Sequence, residues 1–254
     1  MQTSMSRPHA TVREFLEYLE KNLTEEHLRF GWEWSQAMLA GWDDTEFEAL
    51  YSEYVRSTQI ELTREDDATA AKGRPLERLS RYFLNRGGVV YDIEEISAPG
   101  RWQVDGQGPL NVTAIRCTWG KNISERLGFQ LYLESKNHVD PATGDEFSVH
   151  YRRMMDHDCR VGVFVSTSGF KIGRGLGIAD SIRDNYLMGI FHLLLSFPVL
   201  SEVAVGGKPP LAILRTVLCF AANDRYAHDA EVQRMYSVDY CHEVARDEFR
   251  RLFP

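Results

Sequence analysis

Cysteine is scarce and scattered in this chain: Cys117, Cys159, Cys219 and Cys241 lie far apart and form no C-x-x-C pair. That excludes a zinc ribbon or a disulfide framework and leaves small hydrophobes in a reducing compartment. Positive charge is also short, with 29 Lys and Arg against 37 Asp and Glu, a net charge of −8. Indiscriminate coating of nucleic acid is disfavoured, because counterion release rewards basic surfaces; a metal site and local basic patches remain compatible. The N-terminal Met1-Gln2-Thr3-Ser4-Met5-Ser6-Arg7-Pro8 lacks an apolar signal core. The most apolar stretch, Leu187 to Val205, is broken by His192, Pro198 and Glu202, which marks a buried core element rather than a membrane span. Cytoplasmic residence with no membrane partner is the default expectation. Two signatures are incomplete as well. Gly173-Arg174-Gly175-Leu176-Gly177 has Ile178 where a dinucleotide fingerprint needs its third glycine, and no Gly-Lys-Ser/Thr follows. Ser166 and Ser168 stand in no Gly-x-Ser-x-Gly elbow, so serine hydrolysis has no support.

What is present is an ordinary globular composition: 254 residues, 43% hydrophobic and 26% charged, enough for one large domain or one domain with appendages. Thr11 to Ile60 reads mainly as helices, and Trp32, Trp34, Trp42, Phe47, Leu50, Tyr51 and Tyr54 supply a packing layer. Arg64 to Gly73 is small and polar, a linker or loop. Leu76, Leu79, Tyr82 and Phe83 make a helical stripe with Pro75 in its first turn, closed by Arg86-Gly87-Gly88. Val89 to Ile93 begins a strand, and Val112 to Trp119 alternates as another. A helix is expected over Glu146 to His157, a buried strand over Val161 to Val165, a helix from Ile178 toward Leu187 and a strand over Ile190 to Phe197. Gly206 to Pro210 is a break. Two helices, Leu211 to Ala222 and Asp229 to Phe253, follow.

The chemistry concentrates in Gln130-Leu131-Tyr132-Leu133-Glu134-Ser135-Lys136-Asn137-His138. In a strand, Gln130, Tyr132, Glu134, Lys136 and His138 share one face and Leu131 and Leu133 take the other. Glu134 and Lys136 therefore stand side by side. Upstream, Arg101-Trp102-Gln103-Val104-Asp105-Gly106 reads as a short strand closed by an Asp-Gly turn. Two neighbouring antiparallel strands would bring Asp105 to Glu134 and Lys136. Converging carboxylates are hard ligands for Mg²⁺ or Mn²⁺, and a lysine beside them can orient water or offset negative charge at phosphorus. His150 and His157 have no third soft ligand in register and read as packing or solvated residues.

Asp105 followed by Glu134-Ser135-Lys136 resembles the Asp…(Asp/Glu)-x-Lys signature of the PD-(D/E)xK, or restriction-endonuclease-like, nucleases. Gly73 to Leu84 looks like that family's first core helix, with Glu77 at the position of its supporting glutamate, and Cys159 to Phe170 is similar to the strand and turn that follow the signature in Mrr-like restriction enzymes. Val104 replaces the proline expected before Asp105. The resemblance implies an α/β fold: a restriction-endonuclease-like core with a central mixed β-sheet flanked by helices at 72–205, a helical extension at 1–71 and a helical C-terminal segment at 206–254. It also implies a Mg²⁺-dependent endonuclease, with Mn²⁺ able to substitute, in which Asp105, Glu134, the Ser135 carbonyl and Glu77 hold metal and Lys136 positions the hydrolytic water. DNA is the expected substrate, with RNA left open, in prokaryotic restriction or antiviral defence. A homodimer or a subunit of a defence complex is implied. Lys171 and Arg174, near the glycine turn, are candidate phosphate contacts. The alternative is a nucleic-acid-binding or assembly subunit that keeps the fold without cutting.

Overall fold

The computed structural model describes residues 43–62, 69–96, 104–111, 126–172, 178–207 and 210–254. Within them run α1 (Asp44–Leu62), α2 (Thr69–Arg86), β1 (Glu94–Ile96), β2 (Val104–Pro109), β3 (Gln130–Lys136), α3 (Gly144–Asp156), β4 (Val161–Ser166), α4 (Ile178–Leu187) and β5 (Phe191–Ser196). The chain continues through α5 (Phe197–Ala204), α6 (Pro210–Ala222), α7 (Arg225–His228), α8 (Ala230–Met235) and α9 (Val238–Leu252). The five strands form one mixed sheet in the order β1-β2-β3-β4-β5. β1, β2 and β3 are an antiparallel meander, while β3, β4 and β5 are parallel. The fold is α/β, a mixed sheet flanked by helices.

Strand chemistry explains this order. β4, Val161-Gly162-Val163-Phe164-Val165-Ser166, is buried at every position, as a central parallel strand covered on both faces must be. Parallel pairing needs a crossover, and α3 and α4 supply the two. Thr143 starts α3 with a capping box: its backbone N–H donates to Glu146 Oε2 at 2.9 Å and its hydroxyl accepts from the Glu146 N–H at 3.4 Å. On β3, Leu131 and Leu133 enter the main core while Tyr132 enters a second cluster with Met154 and Cys159. The alternation expected from sequence is therefore the one that forms. The main core also takes in Tyr54 of α1, Phe83 of α2, Leu200 of α5, Leu214 of α6 and Ala245 of α9, so it runs without a break through both ends of the described chain.

Several expected boundaries shift. Asp105-Gly106 is not a turn: β2 runs straight through it. The glycines serve close approach instead, since a Cβ at Gly106 would stand 2.8 Å from Ile93 Cδ1 and one at Gly108 only 1.9 Å from the Asp92 carbonyl oxygen. α2 begins at Thr69 inside the expected linker, placing Pro75 within the helix. Val90 makes only an isolated bridge with Leu110. Pro198 opens α5 at its first turn rather than merely ending β5. The helix expected over Asp229 to Phe253 is two helices, α8 and α9, the second starting after Ser237, and α7 is a short helix ahead of them. The strand expected over Val112 to Trp119, the helices expected before residue 43 and the Gly173 turn lie outside the described residues. Among the described residues, no helix is long and apolar enough to cross a membrane.

Candidate active site

Asp105 and Glu134 meet because β2 and β3 pair antiparallel with Gly106 opposite Leu133. That register puts residue 105 at the same sheet end as the last residues of β3. Asp105 Oδ2 accepts the Ser135 backbone N–H at 2.5 Å. Lys136 follows on the Glu134 face, its Nζ 3.0 Å from Glu134 Oε1. From α2, Glu77 comes near enough that its charge acts on Asp105. The four expected residues thus assemble from three elements.

Glu134 is the buried centre of the group, only 5% exposed. Three donors surround it. Besides Lys136, Arg153 of α3 reaches both oxygens through Nη1 at 3.0 and 2.9 Å, and the Tyr132 hydroxyl donates to Oε2 at 3.0 Å. Burial and the Glu134 charge raise the Tyr132 pKa, so the phenol stays a donor. A buried carboxylate needs such compensation, because desolvation without it is costly. Sequence reading passed over Arg153, which flanks the buried α3 stripe of Phe147, His150 and Met154.

Asp105 is the stressed member. Its carboxyl is raised to about 7, first by burial and then by the charge of Glu134, with Glu77 adding to it; the Ser135 N–H and Lys136 act in the opposite sense. Near neutral pH it is poised between forms. Behind the site His150 is buried, stacked 4.8 Å from Phe164, and held down to about 3 by burial, then by Arg153 and Lys136. It is a neutral packing residue. The end of β3 is braced by Thr167, whose N–H donates to the Lys136 carbonyl at 3.0 Å and whose hydroxyl donates to Asn137 Oδ1 at 2.8 Å.

The donor set suits a hard divalent cation. Asp105, Glu134 and Glu77 offer only oxygen, and the Asp105 carboxyl is raised first by burial and then by the Glu134 and Glu77 charges, a cost that a bound cation would relieve. Among the described residues, no three His, Cys, Asp or Glu side chains form a ready metal cage; Mg²⁺ characteristically uses one or two carboxylates and keeps its waters. Ser135 Oγ is buried with no hydrogen-bond partner among the described residues, and its backbone lies between the two carboxylates. Lys171 is exposed beyond the end of β4, and Arg174 lies outside the described residues. A serine-hydrolase reading is closed off too: Ser168, in contact with His242 at 2.9 Å, is buried and donates its proton to the His138 carbonyl. Comparison with protein-family models, curated proteins and solved structures gives no match for this chain.

Proposed function

We propose that the chain is a metal-dependent phosphodiesterase of the restriction-endonuclease-like kind, with DNA as its first expected substrate. The observation that carries this reading is the convergence of Asp105, Glu134 and Lys136 at one end of a β2-β3 antiparallel pair, with Glu77 arriving from the preceding helix. The meander, the α3 crossover and the parallel β4 give the helix-strand order that the resemblance implies. Asp105, Glu134 and the Ser135 carbonyl would hold Mg²⁺ or Mn²⁺, with Glu77 as the supporting carboxylate. Bound there, the metal would polarise the phosphoryl group and lower the pKa of water. Lys136, 29% exposed and tethered to Glu134, orients the attacking water and offsets charge as the leaving 3′ oxygen departs. Arg153 and Tyr132 keep Glu134 aimed. The resemblance to Mrr-like enzymes adds the setting, cleavage of invading DNA.

One observation favours a second reading, a binding or assembly subunit without cleavage: both Glu134 oxygens are already occupied by protein donors. Supercoiled plasmid incubated with Mg²⁺ or Mn²⁺ separates the two. Nicking by the wild type that disappears with chelator, with Glu134→Gln and with Lys136→Ala is the expected result. A folded wild type that is inert on plasmid, RNA and single strands removes the nuclease reading.

A further inference from the structure

The chain is acidic, yet α2 concentrates cations along one stripe. Arg74, Arg78 and Arg81 recur at i, i+4 and i+7, Asn85 continues the row, and Arg86 stands beside it about a third of a turn round the helix. A groove runs beside it. Its first part, about 260 Å³, is walled by Arg78, Arg81 and Arg86, and its second, about 530 Å³, by Arg86, Asn111 and Tyr91. Asn85 and Arg86 line both parts and so set them side by side.

Three features distinguish this groove from an ordinary solvated helix face. It reaches the candidate active site, because Arg81 Nη1 lies 3.5 Å from the Asp105 carbonyl oxygen and Glu77 stands one turn before Arg81. It carries an aromatic ring open to solvent, Tyr91, 65% exposed. It also holds a buried acceptor in waiting, since Asn85 Oδ1 has no hydrogen-bond partner among the described residues. Glu46 and Asp92 line the groove as well, but the arginines outnumber them. The pair between Arg78 and Glu53, at 2.9 Å, is about half exposed on each side, so breaking it costs little.

We infer that this groove binds a single strand of nucleic acid leading into the active site, its phosphates on Arg78, Arg81 and Arg86 and one base on Tyr91. The inference rests on the phosphodiesterase reading for its direction, not for its chemistry. Cations spaced along a helix follow a phosphate backbone, and an exposed ring accepts any base face. DNA and RNA share this chemistry.

Fluorescence anisotropy of labelled oligothymidine and oligouridine, titrated with wild-type protein in EDTA across a salt series, tests it. Each lost phosphate contact lowers the slope of log K against log salt by about 0.7 for single strands. Arg78→Gln with Arg86→Gln is therefore expected to reduce the slope by about 1.4, and Tyr91→Ala to weaken binding roughly tenfold with the slope retained. Arg215→Gln with Arg250→Gln, exposed arginines elsewhere, serves as the control. The inference falls if the groove pair changes the slope no more than the control pair, or if the wild type binds neither oligonucleotide at low salt. Stronger binding of one oligonucleotide identifies DNA or RNA as the occupant. Because binding is read without cleavage, plasmid nicking with an unaltered slope sinks the groove alone. An altered slope with no nicking sinks the nuclease alone.

Discussion

Asp105→Asn is expected to make the protein more stable, and only in one pH range. In the folded chain the Asp105 carboxyl sits at about 7 instead of 3.8, chiefly through burial and the neighbouring Glu134 charge. A raised carboxyl means that the folded state holds its proton more tightly than the unfolded chain does. The resulting stability is fully present below about pH 4 and is lost as pH rises through 7. At ~1.4 kcal/mol per pH unit, the gap corresponds to roughly 4 kcal/mol; solvent at this partly open carboxylate reduces it to about 2–3 kcal/mol. Asparagine keeps an oxygen for the Ser135 N–H and carries no charge. Urea unfolding of both proteins at pH 4, 5.5, 7 and 8.5 should therefore show a stability difference that grows from pH 4 to 7 and is level above it. With Mg²⁺ present at pH 8.5, the wild type should gain stability and the variant should not, since the cation relieves the same repulsion. A variant no more stable than wild type at pH 8.5, or a difference independent of pH, would refute the account of this carboxyl.

The remaining predictions address the supports of the site. A double-mutant cycle of Arg153→Met and Glu134→Gln, read by urea unfolding, should give a coupling of ~2–3 kcal/mol, because the single Arg153 change leaves Glu134 buried with Lys136 and Tyr132 alone; coupling under ~0.5 kcal/mol would show that the pair is not a unit. His150→Phe should flatten the loss of stability in acid. The folded His150 sits at about 3, so its stabilising contribution is present above 6.5 and lost as pH falls; at pH 4.5 the variant should be spared ~2–3 kcal/mol relative to its own pH 7.5 value. Gly162→Ala places a Cβ 2.2 Å from Met154 Sδ and 2.7 Å from His150 Nε2, pushing α3 outward. A loss of ~1–3 kcal/mol, or several degrees in thermal melting, is expected, together with weaker plasmid nicking as Arg153 is displaced; unchanged melting would contradict the contact.

Much of the site was legible because strand periodicity is a local property. Glu134 and Lys136 share a face for the same reason that Leu131 and Leu133 share the other, and no distant residue is needed to infer it. Asp105 was legible as a partner but not as a mid-strand residue. Asp-Gly is a turn signal when nothing else is known, and only the backbone of Asp92 and the side chain of Ile93, packed against Gly108 and Gly106, explain why those glycines stay extended. Tertiary contact overrode turn propensity there. The division of the last stretch into α8 and α9 was hidden similarly: Tyr236, between them, is fully buried and donates to the Leu194 carbonyl at 2.9 Å, an anchor that a helical period does not reveal.

Arg153 marks the limit of such reading more sharply. It stands 19 positions after Glu134, and its arrival depends on how α3 crosses β3 and β4, which Gly162 permits by admitting Met154 and His150 against the sheet. Periodicity assigns a residue to a face but says nothing about which residue on another element it meets. The same reasoning separates the two sets of cations proposed to handle phosphate. Lys171 and Arg174 stand near glycines in the sequence, a local signal, whereas Arg78, Arg81 and Arg86 lie along a helix, where cations ordinarily mean only a solvated face. What changes its meaning is three-dimensional: a groove beside the stripe, an exposed Tyr91 at its wall and Arg81 against the Asp105 backbone. Asp105 and Glu134 sit on adjacent strands and leave a short-range trace in the sequence, while Arg78, Arg81 and Arg86 need only share a surface with them.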